Sequence, residues 1–156
     1  MKNKILIDTT YLLPLFGIEI EKFSLQNMQY LLEVDAEVIY NPISLIEIKW
    51  VILKLTKKNK KTLKQMRETY NETLEYLTTT DEIKQTPLIT PEISQLEDKL
   101  NDHGIKDCFD RIITATAKIY ADIFLTEDKK LVQQVKTIKE FEDLTITSWQ
   151  QFKKHE

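Results

Sequence analysis

Short apolar runs alternate along this chain with longer segments in which apolar residues recur at helical spacing. The short runs predict strands at residues 4–7, 38–40, 123–125 and 144–147, and a short edge strand within 78–90. The longer segments predict helices at about 10–16, 22–33, 42–53, 60–77, 91–101 and 107–120, and two more that start near 127 and 148. Strands separated by helices indicate βαβ crossovers. We therefore predict a three-layer α/β/α fold with a central, mostly parallel sheet and extra helices in the middle of the chain.

The composition narrows the class of protein. The 156 residues suit one domain, 1–156, with a full core, and 42% apolar and 30% charged residues are typical of a globular chain. No apolar run approaches the roughly 20 residues that a membrane span needs. A single cysteine and the lack of a secretory leader pattern predict a cytoplasmic protein that does not use a membrane. With only two glycines, the chain has no Gly-rich phosphate-binding loop.

A lysine-rich helical segment occupies about residues 55–85 and holds the main concentration of positive charge. Its basic residues are Lys57, Lys58, Lys60, Lys61, Lys64 and Arg67. Such a cluster can bind the phosphates of an RNA backbone. It can equally be a solvated corner between two helices, where cations are favoured at a helix C-terminus. The net charge of −3 gives no separate sign of a nucleic-acid partner.

Four acidic residues that are far apart in sequence are predicted to meet at one edge of the sheet. Asp8 and Asp128 follow short apolar strands, whereas Glu47 and Asp110 lie in the first turns of helices. In such a fold the ends of the strands and the starts of the helices share the edge where ligands bind. Carboxylates gathered there repel each other unless a cation lies among them, and all-oxygen sites suit Mg²⁺ and Mn²⁺. The pattern predicts a metal-dependent phosphoryl-transfer site in which a bound water attacks a phosphodiester.

Each of these acids also has a purely structural explanation. Asp8 and Asp128 are at positions typical of turn residues or helix caps. Asp110 is at a position typical of a first-turn acid that the helix dipole favours. Glu47 could complete a capping box with Ser44, although it is predicted to lie in the second turn of its helix. The set of four, rather than any single acid, favours the metal site.

The sequence around these acids resembles, block by block, that of PIN-domain nucleases, a group that includes the VapC-type toxins of toxin–antitoxin pairs. The resemblance covers residues 4 to about 130 and leaves the lysine-rich middle unmatched. The third block is the most specific, because Asp-x-x-Asp-Arg is followed by a helix of small residues and then by Leu-Thr-x-Asp. The blocks are Ile-Leu-Ile-Asp8-Thr-Thr-Tyr-Leu-Leu, Ser-Leu-Ile-Glu47-Ile, Asp107-Cys-Phe-Asp110-Arg-Ile-Ile-Thr-Ala-Thr-Ala and Phe-Leu-Thr126-Glu-Asp128.

The resemblance implies a fold, an activity and a cofactor. It implies a parallel sheet flanked by helices and cleavage of RNA that depends on Mg²⁺ or Mn²⁺. Carried over residue by residue, it makes Asp8, Glu47 and Asp110 the core metal-binding and catalytic acids, and Asp128 the fourth. A metal-activated water is the nucleophile, so no histidine or serine nucleophile is expected.

The resemblance also assigns supporting residues. Thr10 and Thr126 match the hydroxyl residues that orient the acids or their bound waters. Asp107, one helical turn before Asp110, either adds a ligand or caps its helix. Arg111 either pairs with a carboxylate or contacts the scissile phosphate, so it joins the lysines as a candidate nucleic-acid contact.

The predicted partners are an RNA substrate, an antitoxin protein and a second copy of the chain. A homodimer is predicted because the apolar positions of the two middle helices can include an interface as well as a core. The sequence does not separate these two uses.

Three other functions compete with the nuclease. A non-catalytic RNA-binding or scaffold protein on the same fold is disfavoured because all four acids are present. A haloacid-dehalogenase-like phosphatase would need an acid where Thr10 stands, and a response-regulator receiver would need paired acids where Thr9 and Thr10 follow the first strand.

Overall fold

A single five-stranded sheet forms the centre of the computed structural model, which describes residues 1–156. Its strands are β1 (Asn3–Ile7), β2 (Ala36–Tyr40), β3 (Ile83–Gln85), β4 (Ile123–Leu125) and β5 (Thr145–Thr147). They are hydrogen-bonded in the order β3-β2-β1-β4-β5, and every neighbouring pair is parallel. The predicted α/β class is confirmed, and the sheet is parallel throughout.

Eight α-helices connect or follow the strands. They are α1 (Thr9–Leu12), α2 (Leu25–Glu33), α3 (Ile43–Leu55), α4 (Lys60–Thr79), α5 (Pro91–Asp102), α6 (Cys108–Tyr120), α7 (Lys129–Val135) and α8 (Trp149–His155). The 3₁₀ turn Leu13–Phe16 continues α1, and a second 3₁₀ turn, Lys139–Phe141, precedes β5. No helix is both long and apolar enough to cross a membrane.

The sheet has an apolar layer on each face, because successive side chains of a strand point to opposite sides. On β1, Ile5 and Ile7 belong to one buried cluster, whereas Leu6 between them belongs to a second cluster that includes Ile113 and Phe124. Helices therefore cover both faces, as a parallel sheet requires.

Two helices start later than the sequence pattern predicts. The predicted helix 22–33 starts at Leu25, because Ser24 forms a reciprocal capping box with Asn27. The predicted helix at Pro42 starts at Ile43, whose N–H donates to the side-chain oxygen of Asn41 (2.8 Å). Both differences come from a side chain that fixes the first turn locally.

One face of α3 carries large apolar side chains that no other part of the chain covers. Ile46, Trp50 and Leu53 recur at helical spacing and are exposed, Trp50 to 58%. By contrast, Tyr70 on α4 is buried and donates a hydrogen bond to the Leu45 carbonyl (2.7 Å), which fixes α4 against α3. The apolar positions of the middle helices thus divide into a core set and an uncovered set.

Candidate functional site

The carboxyl edge of the central strands carries two of the predicted acids. Asp8 directly follows β1, and its backbone N–H donates to the Leu125 carbonyl at the end of β4 (3.0 Å). One residue further, the Thr126 N–H donates to the Thr147 carbonyl at the end of β5 (3.1 Å). The sheet pairing thus continues past the strand ends and fixes where the carboxylate of Asp8 and the hydroxyl of Thr126 lie.

The carboxylate of Asp8 is buried and held by two donors. Its Oδ1 accepts from the Thr9 N–H (2.8 Å), and its Oδ2 accepts from the Thr126 hydroxyl (2.8 Å). The same hydroxyl oxygen accepts from the Asp128 N–H (3.2 Å). Because one hydroxyl contacts both Asp8 and the loop of Asp128, Thr126 sets the position of one acid relative to the other.

Asp128 caps α7 with one carboxylate oxygen. Its Oδ1 accepts from the Leu131 N–H (3.0 Å), and the side chain is exposed. The structural explanation for this residue is therefore correct for one oxygen, while Oδ2 has no hydrogen-bond partner within the protein. Such an arrangement lets a single carboxylate serve as both cap and ligand.

Glu47 reaches the same edge from the second turn of α3. A hydrogen bond of 2.8 Å joins the hydroxyls of Thr9 and Ser44, and hydrogen bonding from Thr9 opposes the rise in the pKa of Glu47. The Thr9 hydroxyl donates to that of Ser44 and lies close enough to Glu47 to influence its pKa. Ser44 is fully buried and bonds to Thr9 rather than forming a capping box with Glu47.

Asp107 and Asp110 come from the start of α6. Asp107 is the N-cap, and its Oδ1 accepts from the Asp110 N–H (3.1 Å). The side chain of Arg111 pairs with Glu97 and donates to the carbonyls of Ile105 (3.0 Å) and Lys106 (2.7 Å). These bonds hold the loop before α6, so they position Asp107 and Asp110.

We call Asp8, Glu47, Asp107, Asp110 and Asp128 the acidic cluster. Burial first, and then the charges of the other four members, raise the pKa of Asp110 from 3.8 to about 7. Burial likewise raises the pKa of Asp8 and of Glu47, with a smaller contribution from neighbouring carboxylates. The five side chains therefore lie within electrostatic range of one another.

No basic side chain neutralises the acidic cluster. None of the protein's salt bridges includes one of its members. Lys54 and Glu47, and likewise Arg111 and Asp107, influence each other's charge only weakly, as the last of several causes of the shifts in pKa. The negative charge is thus left without a counter-ion from the protein itself.

The donor set fits a hard divalent cation by its chemistry. All ligands would be carboxylate oxygens, as Mg²⁺ and Mn²⁺ prefer, and a cation would remove the repulsion that raises the pKa of Asp110. As they stand, however, no three acidic, histidine or cysteine side chains are close enough together to form a ready metal site. The acidic cluster is therefore a concentration of negative charge rather than a preformed metal site.

Two supporting residues have different surroundings from those that the resemblance implies. Thr9 is buried, and its N–H donates to Asp8 and its hydroxyl to Ser44, whereas Thr10 makes no side-chain hydrogen bond. A strand that ends at Ile7 and a helix that begins at Thr9 turn the first threonine inward. The guanidinium of Arg111 is occupied by Glu97 and two carbonyls, which favours pairing with a carboxylate over contact with a phosphate.

The predicted lysine contacts lie away from the acidic cluster. Lys57 and Lys58 follow the C-terminal end of α3, and Lys60 and Lys61 begin α4. Glu47 is near the start of α3, so Lys57 is roughly 15 Å further along the helix axis, towards the opposite edge of the sheet. This position favours the solvated inter-helix corner.

Tyr11 is a residue of the site that sequence reasoning missed. It is fully buried, and its hydroxyl accepts from the Trp149 N–H at the start of α8 (3.2 Å). Burial and the nearby charges of Glu127 and Asp8 raise its pKa far above the usual value for tyrosine. Only its place one helical turn after Asp8 indicated that it faces the same edge.

The comparisons with known proteins identify the family. The PIN domain family model matches residues 5–136, and the chain therefore belongs to the PIN domain family. No curated protein matches the sequence.

Solved structures share the fold over almost the whole chain. VapBC2 from Rickettsia felis, crystallised with a DNA fragment from its promoter, has a TM-score of 0.60 at 16% identity and covers 94% of this chain and 98% of that one. A toxin–antitoxin complex from Klebsiella pneumoniae has a TM-score of 0.57 at 18% identity, covering 93% and 97%. FitAcB from Neisseria gonorrhoeae has a TM-score of 0.57 at 18% identity, covering 94% and 98%. At such low sequence identity, these similarities show a shared fold alone.

Proposed function

We propose that this protein is an endoribonuclease that depends on Mg²⁺ or Mn²⁺. The observation that carries the proposal is the acidic cluster: five carboxylates from four separate segments, with the pKa of Asp110 raised to about 7 and no basic partner. A structural explanation accounts for single caps such as Asp107 and Asp128, but not for mutual repulsion that a protein would otherwise avoid. Membership of a family whose members are generally nucleases supports the same function.

Four carboxylates would hold the cation: Asp8, Glu47, Asp110 and Asp128. Bound there, a divalent cation lowers the pKa of a water molecule and stabilises the charge on the phosphate. The residues of the chain orient these ligands. Thr126 and the Thr9 N–H fix both oxygens of Asp8, and the Thr9 hydroxyl lies close enough to Glu47 to influence its pKa. Asp110, whose raised pKa of about 7 leaves it partly protonated at neutral pH, would have to give up that proton to act as a ligand.

An antitoxin protein is the partner that the comparisons favour. The Klebsiella pneumoniae structure is a toxin–antitoxin complex with the same fold, and we propose that this chain is likewise the toxin of such a pair.

The predicted homodimer and the cytoplasmic location stay predictions. Sedimentation velocity of the purified chain would test the dimer, and the exposed residues Ile46, Trp50 and Leu53 are the first positions to change if one forms.

Cleavage of a mixed pool of labelled structured RNAs tests the activity. We expect internal cuts with Mn²⁺ or Mg²⁺, no cuts with EDTA, and recovery when excess metal is added back. RNA that is bound but never cut under any metal would instead support a non-catalytic RNA-binding protein on this fold. Cutting that persists in EDTA would contradict the metal dependence.

A further inference from the structure

A groove of about 840 Å³ runs beside the acidic cluster. Its walls come from the segment before and at the start of α2, from the β4–α7 connection and α7, and from the end of β5 with α8. Thr126 is part of the wall, and its hydroxyl donates to Asp8. The groove therefore adjoins the candidate active site through Thr126.

The groove gathers positive charge from three distant parts of the chain. One acid, Glu127, lies among its lining residues, and none of its lysines forms a salt bridge. Unpaired cations that converge on one concave surface repel each other and attract a polyanion. The lysines are Lys22, Lys129, Lys136, Lys153 and Lys154.

The remaining lining residues favour a nucleic-acid strand over a protein segment. Only three are apolar, namely Val132, Ile146 and Trp149, and Trp149 is almost completely buried. Most of the others carry amide or hydroxyl groups, as Gln133 and Gln151 do, which bind phosphate and sugar oxygens. A protein partner would need apolar anchor pockets, which this surface does not offer.

We propose that this lysine groove holds a single strand of RNA by its phosphates, next to the bond that the acidic cluster cuts. The proposal deepens the proposed nuclease function and rests on it for the identity of the strand. The volume is that of a small-ligand cleft, so it takes a few nucleotides of one strand rather than a duplex. The acidic cluster repels the substrate's phosphates, and the groove supplies the compensating attraction beside it.

Salt-dependent binding of a fluorescein-labelled, roughly 12-nucleotide single-stranded RNA tests the groove. Measurements in EDTA prevent metal-dependent cutting. The test variant is Lys129→Ala/Lys136→Ala. The matched control is Lys130→Ala/Lys139→Ala, which removes equal charge from exposed positions on or next to α7 that do not line the groove.

The expected loss of RNA affinity in the groove pair, Lys129→Ala/Lys136→Ala, can be stated as a number. Losing two phosphate contacts weakens binding about tenfold near 0.15 M salt and makes the slope of log K against log salt shallower by about 1.4. The control pair stays within about twofold of wild type with an unchanged slope. Equal thermal melting of both pairs excludes a folding defect.

Three results would overturn the proposal: wild-type RNA binding by the groove pair, a larger loss in Lys57→Ala/Lys60→Ala, and no RNA binding by any form. Displacement of RNA by poly-glutamate of equal charge, as efficient as by unlabelled RNA, would instead indicate a surface for an acidic protein. Cleavage assays separate the two proposals. If the wild type cuts RNA and the groove pair binds RNA normally, only the groove proposal is contradicted. If RNA binds through the groove but is never cut, only the nuclease proposal is contradicted.

Discussion

Asp110 illustrates how a single side chain can weaken a fold while serving a site. Its carboxyl group lies at the start of α6, partly buried and facing four other acids, which together with burial raise its pKa to about 7. In the unfolded chain the same group titrates near 3.8. This repulsion lowers the stability of the metal-free protein. A bound cation would remove the repulsion.

We expect the metal-free protein to become less stable as the pH rises from 5 to 8. Between the unfolded and folded pKa values, folded Asp110 keeps a proton that the unfolded chain has lost, so stability falls with pH. Because Asp110 is only partly buried and water screens the repulsion, we expect about 1–2 kcal/mol, or about 2–8 °C in Tm. Thermal melting in EDTA measures it.

Two aspartate variants serve as controls for the pH effect. Asp110→Asn should remove most of it and melt higher than wild type at pH 8. Asp98→Asn, an exposed acid on α5 without hydrogen-bond or salt-bridge partners, should keep the wild-type profile. A metal-free wild type whose stability rises between pH 5 and 8 would show that Asp110 does not carry this repulsion.

Thr126 permits a test of positioning within the site. Thr126→Val removes the hydroxyl that donates to Asp8 and accepts from the Asp128 N–H, while keeping the side-chain shape. We expect a loss of about 10–100-fold in cleavage, as for other residues that orient metal ligands. The Mn²⁺ concentration for half-maximal rate should rise as well, and Thr126→Ser should stay near wild type. Unchanged metal dependence in Thr126→Val would contradict the positioning role.

At the scale of elements, Asn41 connects three parts of the fold. Its side-chain amide donates to the Pro87 and Leu88 carbonyls and to the Thr116 hydroxyl, and its oxygen accepts from Ile43. One fully buried side chain therefore joins the β2–α3 turn to the loop after β3 and to α6. This turn begins the helix that carries Glu47.

Replacing Asn41 should destabilise the whole fold. Asn41→Ala leaves buried carbonyl and N–H groups without partners, and we expect a loss of about 2–4 kcal/mol in the free energy of unfolding. Urea denaturation measures it against Asn71→Ala, an exposed position on α4 without side-chain hydrogen bonds, which should change stability by less than about 0.5 kcal/mol. Equal effects of the two substitutions would contradict the account of Asn41.

The elements themselves were predictable because their signals are local. Apolar runs marked the strands, and side chains that cap the first turn begin the helices after Thr90, Asp107 and Ser148. The hydrogen-bond network of Asn41 was not predictable, because its partners are 46 to 75 residues away. A cap signal indicates that a helix begins, but not what else the same side chain contacts.

At the scale of the whole molecule, charge is distributed in a way that the sequence order conceals. The local lysine run lies at the α3–α4 corner, away from the acids, whereas the lysine groove next to them takes Lys22, Lys129 and Lys153 from distant segments. The four predicted acids reach one edge, since the parallel topology alone requires it. The groove depends on how α2, α7 and α8 pack, which no local pattern encodes.

The proposed RNA cleavage depends on a cation held by the acidic cluster. The most direct test is the initial rate of Mn²⁺-dependent RNA cleavage by wild type, Asp8→Asn and the control Asp98→Asn, each checked for folding by thermal melting. We predict that the rate of Asp8→Asn falls more than about 100-fold, which exceeds the loss typical of a supporting residue. Asp98→Asn should keep the wild-type rate. Folded Asp8→Asn with wild-type activity would contradict the account and place the chemistry elsewhere.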